Sequence, residues 1–158
     1  MNIISAAMSA VAVVATAAGI GIAASPTASG DSNPVIQKFG TEETLVNSGV
    51  VQGWTVDNLQ PSTDAINVSI RGKLWEATAT DKAIAGQAMP LPFRFSARTP
   101  SGQDYGYVLG VPTPPSFSWN YIPQGQSATG KLYFDVTGDN PNGVVYRTGP
   151  ADLLLWVK

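Results

Sequence analysis

The chain contains no cysteine and no histidine, and only 13% of its 158 residues are charged. Without cysteine there is no disulfide, no lipid-bearing thiol and no thiolate metal site. Without histidine the commonest general base and metal ligand is missing, along with the side chain that titrates near neutrality. The nine Lys and Arg are scattered against eleven Asp and Glu, for a net charge of −2. No basic stripe can track a phosphate backbone, so nucleic acid is not an expected partner. No cofactor and no metal are expected.

What is present begins with an uncharged apolar run from Ile3 to Ala24, followed by Ser25-Pro26-Thr27-Ala28-Ser29-Gly30. No second apolar run follows. This is the layout of an export signal ahead of one exported domain. The first basic residue is Lys38, so only the Met1 amino group supplies early positive charge, which suggests a true start upstream. Small residues at Gly21 and Ala23, and less well Pro26 and Ala28, suit a cleavage between Ala23 and Gly30. The mature chain is expected to begin between Ala24 and Asp31. The competing reading is an uncleaved anchor, since ~20 apolar residues can span a bilayer. The run is Ala-rich and weakly apolar, and helix breakers follow it, which favours cleavage. The expected division is residues 1–28 as a helical signal segment, a short linker to about 33, and one domain over 34–158. The mature part, about 130 residues, is long enough to bury a core without staples.

Period-two alternation dominates this part. Phe93, Phe95 and Ala97 alternate with Arg94, Ser96 and Arg98, and Leu132, Phe134 and Val136 alternate with Lys131, Tyr133 and Asp135. Such strands place one face on a core and one in water. Further strands are predicted at Val35–Phe39, Val50–Val56, Ala65–Thr80, Tyr105–Val111, Val144–Tyr146 and Leu153–Val157. Turn formers separate them: Gly40, Asn47-Ser48-Gly49, Pro61-Ser62-Thr63-Asp64, Pro100-Ser101-Gly102 and Asp139-Asn140-Pro141-Asn142-Gly143. No helical stripe appears, so the pattern predicts an antiparallel sandwich or barrel. Phe95, Leu132, Phe134, Leu154 and Trp156 should share one core, with Trp54 and Trp75 beside them.

The segment Ala65–Thr80 changes parity. Ile66, Val68, Ile70 and Leu74 share one phase, whereas Trp75, Ala77 and Ala79 share the other. A strand with one buried face cannot keep its register through that switch. Either a bulge near Gly72 re-aims the strand, or both of its faces are covered.

The parts for catalysis are sparse. Paired carboxylates could serve glycoside hydrolysis, but Glu42-Glu43 should point to opposite faces of a strand, and Glu76, Asp135, Asp139 and Asp152 show no spacing that singles out an acid and a nucleophile. No Gly-x-Ser-x-Gly elbow is present, and apart from a Lys no base could activate a Ser. An enzyme is not expected. Asp139–Gly143 offers oxygen ligands but lacks the distant Glu and glycine spacing of a calcium loop, and reads better as a tight turn. Asn67-Val68-Ser69 is a glycosylation sequon inside a predicted strand and carries little weight.

Pro112-Thr113-Pro114-Pro115 leads into Phe117-Ser118-Trp119-Asn120-Tyr121. If this segment is extended, Phe117, Trp119 and Tyr121 share one face. Such a row suits a sugar face, a peptide or a protein partner. The plainer reading is that these aromatics cover the open end of the core.

Several segments together resemble the mycobacterial immunoprotective extracellular protein family of small secreted antigens. They are Gly53-Trp54-Thr55-Val56 with Leu59; Leu74-Trp75-Glu76-Ala77-Thr78-Ala79-Thr80; Phe95-Ser96-Ala97-Arg98-Thr99 with Gly102; Ile122-Pro123-Gln124-Gly125; Thr129–Gly138; and Asp152-Leu153-Leu154-Leu155-Trp156. In order, they cover the chain from about Pro34 to Trp156. The resemblance implies an immunoglobulin-like antiparallel β-sandwich, exported and soluble, with no known catalytic residue. It supplies no site residue, and this sequence departs from the family pattern at Pro112–Tyr121, which is richer in proline and aromatics. The expectation is a secreted, monomeric, non-enzymatic protein, extracellular or cell-wall associated and free of the membrane once the signal is cut. It would bind a protein or glycan partner at the envelope or host surface. A small carboxylate-dependent hydrolase and a structural envelope component are the alternatives.

Overall fold

The alternating segments become strands because each carries one apolar row that can only be buried against a second sheet. A computed structural model describes residues 27–28 and 33–158. The apolar run, the expected signal helix and most of the cleavage window lie outside the described residues. The strands are β1 (Thr27–Ala28), β2 (Val35–Lys38), β3 (Glu42–Asn47), β4 (Val50–Pro61), β5 (Lys73–Ala85), β6 (Phe95–Arg98), β7 (Asp104–Gly106), β8 (Ser127–Val136), β9 (Gly143–Thr148) and β10 (Ala151–Val157). They form two five-stranded sheets, ordered β1-β3-β4-β5-β8 and β2-β10-β9-β6-β7. All pairings are antiparallel except β1 with β3 and β2 with β10. This is an immunoglobulin-like sandwich.

The core between the sheets contains every residue assigned to it by parity: Phe95, Leu132, Phe134, Leu154, Trp156, Trp54 and Trp75. Trp54 is its hub. Its ring centroid lies 4.9 Å from Phe95, 5.5 Å from Phe117 and 6.0 Å from Tyr146. Offset and edge contacts of this kind add to the burial energy of each ring. Register shifts in β10 between Asp152 and Leu154, and Leu153 and Leu154 are both buried as a result.

Three predicted strands are corrected. The strand expected over Ala65–Thr80 starts only at Lys73 and runs on to Ala85. Residues 65–70 still alternate between exposed and half-buried, but they lie across the outer face of the first sheet. There Ile66, Val68 and Ile70 pack with Leu74, Val111 and Tyr133 in a second cluster. The parity break therefore marks a strand covered on both faces. Gly72 is where the crossing segment meets β8: a Cβ there would run into the Val136 carbonyl oxygen. The strand expected over Tyr105–Val111 ends at Gly106, because the chain then crosses to β8. Tyr107 bridges to Phe134 and the Val108 amide donates to the Tyr133 carbonyl at 2.8 Å. The free edge of β8 is thereby covered. Finally, Phe93 does not join the inward row of β6. Pro92–Arg94 form a 3₁₀ turn, so alternation begins at Phe95 and Phe93 faces outward. The strand β3 was not predicted as such; its hairpin to β4 turns on Ser48 and Gly49, both at positive φ as a two-residue type I′ turn requires.

Candidate functional site

The inward row of β4 is Gln52, Trp54 and Val56, and that of β5 is Trp75, Ala77, Ala79, Asp81 and Ala83. Trp54 pairs with Glu43 on one side and Asp81 on the other. Two carboxyl groups thus flank Trp54 on the inner face of one sheet, and neither is exposed to solvent. Among the described residues neither Glu43 oxygen has a hydrogen bond of normal length and angle. Burial pushes its pKa up to about 8, with the backbone of Leu155 partly opposing. Asp81 accepts the Gln52 Nε2–H at Oδ2 over 2.7 Å, while its Oδ1 has no partner. Burial raises its pKa to about 7, with the Gln52 hydrogen bond opposing. A charge buried without a partner is costly, so such groups hold their proton instead.

Gln52 joins this buried row to an opening. A cleft of about 450 Å³ lies between the β3–β4 hairpin, the β9–β10 hairpin and the connection from Gln87 to Arg94. Its apolar walls include Leu45, Val50, Met89, Leu91 and Leu153, with Tyr146 beside them. Burial raises the Tyr146 hydroxyl to about 12, so it stays a neutral donor. Gln52 Nε2 donates to Asp81 and, at 3.5 Å, to the Met89 carbonyl, which leaves Oε1 as the acceptor available to the cleft. Arg94 is the one charged residue of the lining. Its Nη1 donates to the Arg147 carbonyl at 3.3 Å, its Nε is buried without a partner, and no carboxylate among the described residues pairs with it. The volume and the few convergent polar groups are those of a small-molecule site.

The three aromatics expected to form a strip are separated. Phe117 is 0% exposed and belongs to the core, whereas Trp119 is 45% and Tyr121 59% exposed. The segment is not a continuous extended strand. Gly130 admits the Phe117 backbone against β8, where the Phe117 amide donates to the Lys131 carbonyl at 3.0 Å and turns the ring inward. The Ser118 hydroxyl then caps the Asn120 amide at 3.2 Å, and Ile122 pairs with Ala88. Trp119 instead stacks on Phe93, centroids 5.3 Å apart. The Arg94 guanidinium lies 5.7 Å from the Phe93 ring, so this stack is continuous with the charged side of the cleft. Sequence reasoning missed Gln52, Asp81 and Arg94.

Most of the carboxylates weighed for catalysis are committed to the structure. Glu43 is sealed in the core. Glu76 takes the Ser62 hydroxyl at 2.5 Å and Lys131 at 3.1 Å, and Lys131 also reaches Asp64 at 2.6 Å. Asp135 accepts the Arg71 and Gly72 amides at 2.9 and 2.8 Å, fixing the crossing segment. Asp152 sits in a ring of four charges. Arg98 binds Asp104 at 2.7 Å and Asp152 at 2.5 Å, and Arg147 binds the same two at 2.6 Å each. The hydrogen bond from Arg98 holds Asp152 below the usual carboxylate range. In the turn over Asp139–Gly143, the Asp139 carbonyl accepts the Tyr105 hydroxyl at 3.0 Å. No group of three or more metal-ligating side chains occurs among the described residues.

Fold and site together define a cysteine-free immunoglobulin-like sandwich with a cleft at one end. The family described as a domain of unknown function (DUF1942) matches residues 34–156, and the chain belongs to it. It is 43% identical over 150 residues, 93% of each chain, to immunogenic protein MPT63 of Mycobacterium tuberculosis and to immunogenic protein MPB63 of Mycobacterium bovis. The crystal structure of a secreted protein from Mycobacterium tuberculosis, MPT63, superposes with a TM-score of 0.77 at 40% identity, covering 81% of this chain and 100% of that one. The yjhA protein of Bacillus subtilis shares the fold alone, with a TM-score of 0.52 at 18% identity over 73% of this chain and 84% of that one. The mycobacterial relatives are named for immunogenicity, and those names carry no enzymatic activity.

Proposed function

We propose that this is a secreted, non-enzymatic binding protein and that its binding site is the cleft at the end of the sandwich. The observation that carries the reading is the cleft itself: apolar walls, an acceptor fixed by a buried carboxyl group, and a guanidinium with no carboxylate partner. Secretion rests on the apolar run at Ile3–Ala24 and on the description of the solved relative as a secreted protein. The absence of catalysis rests on Glu43, which is sealed in the core, and on Glu76, Asp135 and Asp152, which are held by structural partners. The Phe93–Trp119 stack offers a flat contact to a larger partner at the envelope or host surface. Amide chemical-shift mapping of the labelled protein against cell-envelope and host-surface extracts tests the site. Shifts should gather in residues 45–52, 87–94 and 148–153. Shifts confined to the opposite end of the sandwich would overturn it.

A further inference from the structure

Resting on the cleft as a binding site, we propose that its ligand is a single-chain amphiphile with one carboxylate head, a fatty acid in chemical class, held with its head on Arg94 and its chain along the Leu45, Met89 and Leu153 wall. Charge decides the head. Arg94 is the only charge in the lining, and no acid faces it there. The two arginines of the adjoining sheet, Arg98 on β6 and Arg147 on β9, are each neutralised by two aspartates. Among the described residues Arg94 makes one bond to a carbonyl and none to a carboxylate; its Nε–H is buried, so a ligand would be taken by the terminal N–H groups. A guanidinium in that state is short of an anionic acceptor, and a carboxylate can take two of its N–H groups at once. Asp81 stands behind Gln52, outside the lining, and burial raises its pKa to about 7, so it opposes an anion less than a fully ionised carboxylate would. An ammonium head would find no anion in this lining.

The walls decide the rest. Aliphatic side chains from three segments line one side of the cleft, Leu45, Met89 and Leu153 among them, while its polar groups are Gln52, Gln87, Arg94, Tyr146 and those of the hairpin tips. An alkyl chain on the aliphatic side loses nothing and gains by leaving water. One cation and one apolar wall make a site for one head and one chain. The 3₁₀ turn over Pro92–Arg94 presets the guanidinium, because Arg94 is tied to the β9 carbonyl of Arg147 before any ligand arrives.

Calorimetric titration of the purified protein with decanoate, decanol and decylamine, each below its micelle concentration, tests this. Chemical-shift mapping locates the binding. Decanoate should bind about tenfold or more tighter than decanol or decylamine, consistent with the strength of a charge-assisted pair. Arg94→Gln should abolish that preference while leaving decanol binding unchanged, and Arg94→Lys should restore part of it. Met89→Glu, at an exposed wall position, should weaken decanoate without lowering the melting temperature. Equal binding of acid and alcohol by the wild type, with shifts in the cleft, would overturn the carboxylate head and leave the cleft as a site. Binding of none of the three would overturn the amphiphile altogether, and the extract mapping would then decide separately whether the cleft binds anything.

Discussion

Gln52 on β4 and Asp81 on β5 meet across 2.7 Å on the inner face of the first sheet, beside the aromatic and aliphatic core. The bond fixes which way the Gln52 amide points, and so which of its atoms the cleft sees. It also leaves one Asp81 oxygen with nothing to bind. A buried carboxyl that is half satisfied stays protonated, and that ties the fold to pH.

Stability should fall as pH rises from about 5 to 8. Glu43 is raised to about 8 and Asp81 to about 7, both by burial. A raised carboxyl binds its proton more tightly when folded, so its contribution is full below the unfolded pKa and is lost as pH passes through the folded one. The slope is about 1.4 kcal/mol per pH unit for each group where folded and unfolded states differ by one proton. Asp64 and Asp152 are lowered by their Lys131 and Arg98 hydrogen bonds. Their contribution is present above the unfolded carboxylate range and disappears as pH falls below it. Urea midpoints should therefore peak near pH 4–5, and Glu43→Gln should flatten the decline above that. A wild-type midpoint that climbs steadily from pH 5 to 8 would contradict the assignment.

Arg98→Met should cost more than an exposed ion pair and less than a buried one. Arg98 closes the ring with Asp104 and Asp152 and is about a fifth exposed. Its loss leaves two aspartates to share Arg147. The expected cost lies between ~1 kcal/mol for exposed pairs and ~3–5 kcal/mol for a buried pair broken on one side. The difference from wild type should shrink in 1 M salt, since screening relieves the aspartates. Denaturation at low and high salt measures both, and a salt-independent difference would point to lost packing instead.

Trp156→Ala and Phe134→Ala should each largely unfold the domain. Both side chains are fully buried in the main core. Trp156 also donates its indole N–H to the Thr41 carbonyl at 2.9 Å, next to the start of β3. Truncating a buried aromatic costs ~3–5 kcal/mol, against the ~5–15 kcal/mol that holds a domain together. Melting within a few degrees of wild type would mean that the strand phase is misassigned.

The sandwich and its core were legible because alternation reports directly which side chains face inward. The same rule contained Asp81 and Gln52. Asp81 continues the row Trp75, Ala77, Ala79, and Gln52 precedes Trp54 and Val56 in phase. An acid on an inward row was the available signal for the buried carboxyl. Arg94 could not be read this way. Its place depends on the 3₁₀ turn that breaks alternation at Phe93, and on a β9 carbonyl more than fifty residues away. The cleft is likewise formed by three segments distant in sequence. The covering of β5 on both faces showed in sequence as a change of parity, but which segment does the covering is a matter of tertiary packing.

Phe117 and Trp119 are two residues apart and should respond in opposite ways to the same substitution. Phe117 packs against Trp54, with its backbone drawn onto β8 through the space that Gly130 leaves. Phe117→Ser removes a ring from the hub of the core and puts a hydroxyl in its place. A loss of ~3–5 kcal/mol is expected, with a large drop in melting temperature. Trp119 is held mainly by its stack on Phe93, in contact with water. Trp119→Ser should cost about 1 kcal/mol or less, the worth of an aromatic pair at an exposed site. Its effect should appear in binding, because the stack borders the Arg94 side of the cleft and an aromatic at the centre of a contact is worth ~2 kcal/mol or more. Melting curves of both variants, alongside retention on the partner recovered from envelope or host-surface extracts, separate the two roles. A stable Phe117→Ser protein would refute the inward placement of that ring. A folded Trp119→Ser protein that binds as wild type does would remove the aromatic stack from the contact surface.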